Sequence, residues 1–366
     1  MKKTKIILIV CMALFISNII FVSSVYGEVI SLKKKDLLFD KEMISGWFKY
    51  APDMRWIKKN IYIVAHRQGV IFKYLINLQH SIKYIKTIGR SGEGPGELSN
   101  PVFLSVSTDR IGIVDQRGLS IFSFEGRFIQ RFRIFLPKTS FLYIKKRVYQ
   151  YSVDPNSSYL MECIALSGKR IFQFGEKWLK LNFSIHKDIS DVKVEGLAYR
   201  GDIVGDSTSL YYISRRFGMI IKYSLSGKRI WKKSISNYFG ENGKRIIMRN
   251  KELFFKKGIN MNVLQGRIPT LGLYRQVRLR NNYIYLLSYY YTKEESGSQP
   301  YFTIIMVDRE TLKIVKEFRS NIKKGNDFTN FDVQEINNQP FFLVLKDTVN
   351  GYLFSIYSEV NLKFKI

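Results

Sequence analysis

The chain has 366 residues, 46% hydrophobic and 15% aromatic, with a formal charge of +29. That allows a large core, and 23 tyrosines and 27 phenylalanines against 4 tryptophans favour strands over helices. The three histidines, His66, His80 and His186, have no metal-ligand spacing to one another, which excludes a His-Glu-x-x-His type site.

The N-terminus reads as a separate object. Met1 to Lys5 is basic, Ile6 to Val22 is almost wholly apolar, and Ser23 to Gly27 brings small residues. This is the order of a secretory signal peptide, with a cut expected after Gly27. The alternative is a retained anchor, for which the apolar run reaches only the lower limit of a span of roughly 17–25 residues. Cys11 lies midway through the apolar run, after Val10, which argues against a lipid-anchored form. Removing residues 1–27 takes away three lysines and no acid, so the charge becomes +26. Only Cys163 then remains, which excludes an internal disulfide and a cysteine-based zinc site. Its expected place is a buried strand position.

Residues 28–54 hold two candidate strands, Leu37 to Phe39 and Trp47 to Tyr50. From Arg55 a recurrent pattern begins. Ile61 to Val64, Val70 to Leu75 and Ile82 to Ile88 read as strands, with His66 to Gly69 a turn. Pro101 to Val106, Ile111 to Asp115, Leu119 to Phe124 and Arg127 to Ile134 form a second unit, joined by tight turns. A small-Gly-basic turn recurs at Gly126, Gly168 and Gly227, with Asp308 to Val315 as a variant lacking the glycine. Tyr283 to Leu287 and Tyr301 to Val307 fit a fifth unit. Phe341 to Leu345, Tyr352 to Tyr357 and Leu362 to Ile366 fit a sixth. Residues 240–276 break the rhythm, and a short helix is expected over Ile246 to Phe255. Lys293 to Pro300 reads as an exposed loop.

Between the first two units lies Gly89-Arg90-Ser91-Gly92-Glu93-Gly94-Pro95-Gly96-Glu97. So many glycines cannot form a helix or strand interior. No lysine-serine pair follows and two glutamates would repel phosphate, which argues against a phosphate-binding loop. With Leu98, Pro101, the acidic strand end at Asp115 and the turn at Gly126-Arg127, the segment resembles the crossover of NHL-repeat-like six-bladed β-propellers. The resemblance implies an all-β propeller of about six four-stranded blades, with an N-terminal strand completing the last blade. On that reading residues 1–27 are the signal, and residues 28–366 are one propeller domain with an insertion at about 240–276. It also implies a structural role for Gly89, Gly92, Gly94, Pro95, Gly96 and Glu97.

No nucleophile elbow is present. Calcium-dependent propeller lactonases bind metal through scattered acids and amides; Glu195, Asp202, Asp206, Asn262 and Asp332 are the candidates here. No catalytic residue, metal ligand or cofactor is assigned. The expected function is an exported, non-catalytic binding propeller; the alternative is a metal-dependent hydrolase or lyase. Its expected partners are a protein, a polysaccharide or an anionic envelope surface, rather than nucleic acid. The expected location is the periplasm or cell envelope, or secretion. After signal removal a monomer with no transmembrane span is expected. In a four-stranded blade the crossovers and the second-to-third turns share one end. That end would carry Arg67, Arg90, Arg117, Arg215 and Arg216, whose planar forks suit phosphate, sulfate or carboxylate. Arg127, Lys169, Arg170, Lys228 and Arg229 lie at the other end, so charge alone does not choose between them.

Overall fold

The computed structural model describes residues 28–36, 38–39, 53–77, 81–107, 110–133, 140–152, 157–179, 181, 194, 197–257, 272–290, 301–321, 327–348 and 351–359. The signal segment, Trp47 to Tyr50, Lys293 to Pro300 and Leu362 to Ile366 lie outside the described residues.

Six antiparallel sheets stand around one axis, and their inner strands touch in cyclic order. The chain is a six-bladed β-propeller. Three short strands come first: β1 (Glu28–Ser31), β2 (Lys33–Asp36) and β3 (Leu38–Phe39). Blade 1 is β4 (Met54–Ile57), β5 (Asn60–Ala65), β6 (Val70–Asn77) and β7 (Ser81–Ile88). The crossover holds β8 (Arg90–Ser91) and β9 (Glu97–Leu98). Blade 2 is β10 (Phe103–Val106), β11 (Arg110–Asp115), β12 (Gly118–Ser123) and β13 (Phe128–Phe132). Blade 3 is β14 (Leu142–Ile144), β15 (Arg147–Tyr151), β16 (Tyr159–Ala165) and β17 (Arg170–Glu176). Blade 4 is β18 (Gly201–Gly205), β19 (Ser209–Ser214), β20 (Met219–Ser224) and β21 (Arg229–Ser234). Helix α1 (Gly240–Lys251) follows, six residues earlier than the expected start, and runs into a π turn, Glu252–Lys257. Blade 5 is β22 (Gln276–Arg280), β23 (Tyr283–Tyr290), β24 (Tyr301–Asp308) and β25 (Ile314–Asn321); blade 6 is β26 (Asp327–Ile336), β27 (Gln339–Thr348) and β28 (Gly351–Ser358).

Blades pack face to face, so a middle strand is covered on both sides. In β5, Ile61 and Ile63 pack toward Leu343 and Ile356 of blade 6, while Tyr62 and Val64 pack toward Leu104 and Ile113 of blade 2. This is the period-2 alternation of a strand, apolar on both faces. Outer strands meet solvent instead, and Arg229 to Ser234 is almost wholly exposed. Cys163 is buried on β16, as expected.

The small-Gly-basic turns have one geometry. Gly126, Gly168 and Gly227 have φ of 85°, 86° and 84°, and each follows a bulge between the third and fourth strands. A left-handed glycine closing a short hairpin is the G1 arrangement. In blade 5 Leu312 takes positive φ at the same bulge. There Asp308 stabilises the turn by accepting from the Glu310 and Thr311 N–H groups at 3.0 and 2.7 Å.

The N-terminal strands clasp three blades. β2 pairs antiparallel with β28 and fills the fourth place of blade 6, while β1 joins β25 and β3 joins β7, both in parallel. An N-terminal strand does complete the last blade, but it is neither of the two sequence candidates. It is Lys33 to Asp36, which lacks apolar alternation because its edge place faces solvent.

Inner strands have one edge with no neighbouring strand. Side-chain oxygens of the preceding blade supply the missing acceptors. Trp56 N–H donates to Asp332 (2.6 Å), Leu104 to Asp53 (3.0 Å), Tyr143 to Ser105 (3.0 Å), Ile203 to Ser140 (2.9 Å) and Phe331 to Gln276 (2.9 Å). The two aspartates also hold guanidinium groups. Arg280 reaches both oxygens of Asp332 at 3.0 and 2.8 Å, and buried Arg278 lies 3.3 Å from both Asp332 and Asp53.

Asp332→Ala should cost about 3–5 kcal/mol in urea unfolding, because it strands buried guanidinium charge. Asp332→Asn, which keeps an acceptor for Trp56, should cost less. A second expectation concerns Lys346, which is buried on β27 with its ammonium 4.8 Å from the centre of the Tyr357 ring. Burial, helped by Lys34 and opposed by Asp36, pushes it down from 10.5 to about 7. Between those values the unfolded chain holds the extra proton, so stability should rise with pH from about 7 to 10. Lys346→Met should flatten that rise in thermal melts; an unchanged slope would refute it.

Candidate functional site

The glycine-rich crossover is built around Glu97. Its carboxylate accepts from Gly94 N–H at 2.6 Å and pairs with Arg90 at 2.7 Å. The Gly94 N–H, more than the arginine, holds this carboxyl below the usual range. Gly96 has φ of 77°, and a Cβ there would meet Phe128. Arg131 of β13 donates to the backbone oxygen of Glu97 and lies 3.6 Å from buried Asp115. Asp115 in turn accepts from Ser99 and Arg117 N–H groups at 2.9 and 2.8 Å. The acidic strand end is thus an anchor for the loop.

The antiparallel order places the five arginines at the crossover end, but it does not gather them into one site. Arg90 pairs with Glu97, and Arg117 pairs with Glu93 at 2.6 Å. Arg67 sits in the turn His66–Gln68, and its side chain lies outside the described residues. Arg215 and Arg216 are brought together, and the chain adds Arg200. The Arg215 N–H donates to the Arg200 carbonyl at 3.0 Å, so the three stand at the same end of blade 4. Arg215 grips Asp202 through two bonds of 2.8 and 2.9 Å. Burial opposes its charge, but Asp202 outweighs burial and holds the guanidinium above its ordinary value.

Arg216 differs. It is 3% exposed, lies 5.8 Å from the centre of the Phe254 ring, and among the described residues its Nε and Nη1 have no hydrogen-bond partner. Burial, with Arg200 and Arg215 adding repulsion, pushes it down to about 10. Arg200 is exposed; Arg215 repels its charge and Asp202 attracts it. The sequence did not mark Arg200. Its signal is positional, one residue before an inner strand whose partner strand runs directly into Arg215-Arg216.

The opposite end holds a cavity of about 650 Å³ on the axis, lined from all six blades. Its walls include Ile57, Val106, Ile144 and Leu279, and its rim carries Lys58, Lys145, Asp206, Arg280, Asn281 and Glu335. The first-to-second turns form this rim. Four of them are two-residue hairpins, Lys58-Lys59, Lys145-Lys146, Asn281-Asn282 and Asn337-Asn338. The repeated pattern of an apolar strand, two lysines or two asparagines and a second strand is present in the sequence, though less conspicuous than the glycine turns.

The metal candidates that are described, Asp202, Asp206 and Asp332, form no common cluster. Asp202 is held by Arg215, Asp206 by Arg309, and Asp332 by Arg278 and Arg280, while Glu195 and Asn262 lie outside the described residues. Among the described residues no group of three or more His, Cys, Asp or Glu converges. His66 shares a 2.9 Å hydrogen bond with the Pro101 carbonyl. Among the same residues, no helix is long and apolar enough to cross a membrane.

The crossover geometry sets a stability prediction. Gly96→Val should cost about 1–3 kcal/mol, because valine disfavours a left-handed backbone. Gly94→Val, where φ is not positive, should cost less. Equal thermal midpoints for wild type and Gly96→Val would refute the structural role.

No protein-family model and no curated protein sequence matches the chain. Solved structures do. An exported-protein candidate from Bacteroides fragilis aligns with a TM-score of 0.55 at 11% identity, covering 91% of this chain and 99% of that one. A member of the DUF4221 family from Bacteroides vulgatus aligns at 0.46 and 13% identity, over 89% and 96%. A catalytically inactive virginiamycin B lyase from Staphylococcus aureus, with quinupristin, aligns at 0.44 and 11%, over 89% and 99%. The first of these likenesses shows a shared propeller fold.

Proposed function

We propose that this chain is an exported, non-catalytic propeller that binds a macromolecular, anionic partner at the crossover end, close to the Arg200, Arg215 and Arg216 cluster. The observation that supports this most is Arg216. A buried guanidinium with no carboxylate among the described residues is costly to keep, and an incoming anion would supply its missing acceptors. Arg200 extends the cluster to solvent. Arg67, Arg90 and Arg117 belong to the wider rim of this reading, the last two acting once they leave their loop glutamates. Export is supported by the basic-apolar-small order of residues 1–27; Glu28, the first residue after the expected cut, begins β1. The Gly-Pro-Gly-Glu crossover supports a place among NHL-repeat-like propellers. A monomeric domain in the periplasm or at the cell envelope fits this reading.

The test is binding of the chain from Glu28 onward to vesicles containing phosphatidylglycerol and to dextran sulfate. Arg216→Met combined with Arg200→Gln should weaken binding by at least about fivefold, roughly 1 kcal/mol. A control with Lys169→Glu and Lys228→Glu, both exposed at the other end, should change it little. The control avoids Arg170, which pairs with Glu162 at 3.0 Å. Equal losses in both variants would mean diffuse electrostatics and defeat the proposal.

A further inference from the structure

Three of the four lysines in the turns at the cavity mouth occupy backbone positions that lysine does not favour. Lys58 has φ of 52°, Lys145 of 48° and Lys146 of 60°. In the matching hairpins of blades 5 and 6, Asn281, Asn337 and Asn338 take φ of 47°, 52° and 60°. Asparagine tolerates the left-handed region through local hydrogen bonding of its short side chain, whereas lysine has no such help. One fold therefore solves one turn problem in two ways. Two blades use the residue suited to the turn, and two place a cation there at a conformational cost. Strained positions of this kind concentrate at functional sites.

Both lysine turns border the same cavity. Lys58 and Lys145 line it from blades 1 and 3, on either side of blade 2, and Lys59 and Lys146 stand beside them, exposed. The acids of the rim are already engaged. Asp206 is held by Arg309, and Glu335 accepts from Asn281 and Tyr285 at 2.7 and 2.9 Å. The lysines thus face the opening with no carboxylate beside them among the described residues. Below them the wall is apolar at Ile57, Val106, Ile144 and Leu279. About 650 Å³ admits a few residues of extended chain and no folded domain.

From these features we infer that the mouth at the end opposite the crossovers is a second binding site, which takes an acidic peptide segment with an apolar side chain between its carboxylates. The carboxylates would meet the lysine ammonium groups, and the apolar side chain would cover the cavity wall. A sulfated polysaccharide or a polyphosphate offers the charge without the apolar part.

The test uses the double variant Lys58→Asn and Lys145→Asn, which copies the asparagine turns of blades 5 and 6. The probe is a fluorescently labelled Glu-Glu-Leu-Glu-Glu peptide, with pentaglutamate and inorganic polyphosphate as competitors. Wild type should bind the leucine peptide more tightly than pentaglutamate. The double variant should bind it at least about fivefold more weakly and melt at the same or a higher temperature, since the turn strain is relieved. Arg216→Met should leave peptide binding unchanged, which separates this site from the crossover end. Unchanged affinity in the double variant would overturn the inference, as would polyphosphate displacing the peptide more effectively than the unlabelled peptide does. A lower melting temperature would show that the lysines serve the fold, and would equally overturn it.

Discussion

The inner edge of each blade is the constraint on which the ring depends. A strand with no neighbour on one side leaves N–H groups facing the axis, and a closed ring leaves no room for another strand there. The chain answers with one side-chain oxygen from the blade before, at five of the six joints: Asp332, Asp53, Ser105, Ser140 and Gln276. Between blades 4 and 5 a different contact is made, from the Tyr274 hydroxyl to the Ile213 carbonyl. Where the acceptor is an aspartate, its charge has to be balanced in a buried place. Arg278 and Arg280 are the answer to that second problem.

The same logic explains where the acids of a basic chain are found. Asp115 anchors the crossover, Glu97 shapes it, Asp202 holds Arg215, and Asp53 and Asp332 join blades. Each of these acids stands at a joint of the framework. Two groups of cations stand apart from these joints: Arg216, buried beside the Phe254 ring, and the lysine turns at the mouth of the cavity.

Much of the fold was legible because middle strands obey a local rule. β5, β6, β11, β12, β24 and β27 are apolar, β-branched or aromatic, and bounded by glycine or polar turns, so their packing needs were written into consecutive residues. The crossover was legible for the same reason, since a left-handed Gly96 and a carboxylate one residue later are local features. β2 was not, because an edge strand of three lysines and an aspartate has no alternation. Nor were the ring-closing acceptors: Asp332 and Trp56 are 276 residues apart, and no short pattern ties them. The candidate site was half legible. Arg215 and Arg216 were found from turn position, but pairing decides which arginine keeps an unanswered charge, and pairing depends on Asp202 and Phe254 arriving from elsewhere in the chain.

The clasp formed by β1, β2 and β3 ties strands distant in sequence, joining the start of the described chain to blades 5, 6 and 1. Asp36 meets Ser355 across 319 residues of sequence, so the first residues of the described chain find their sheet only after nearly all of the rest has emerged. A chain that stopped early would leave β2 with nothing to pair, and the remaining blades would form an open arc with bare edges on both sides. Such an arc invites association with other unfinished chains or degradation. Pairing of β2 with β28 gives blade 6 its fourth strand and closes that arc.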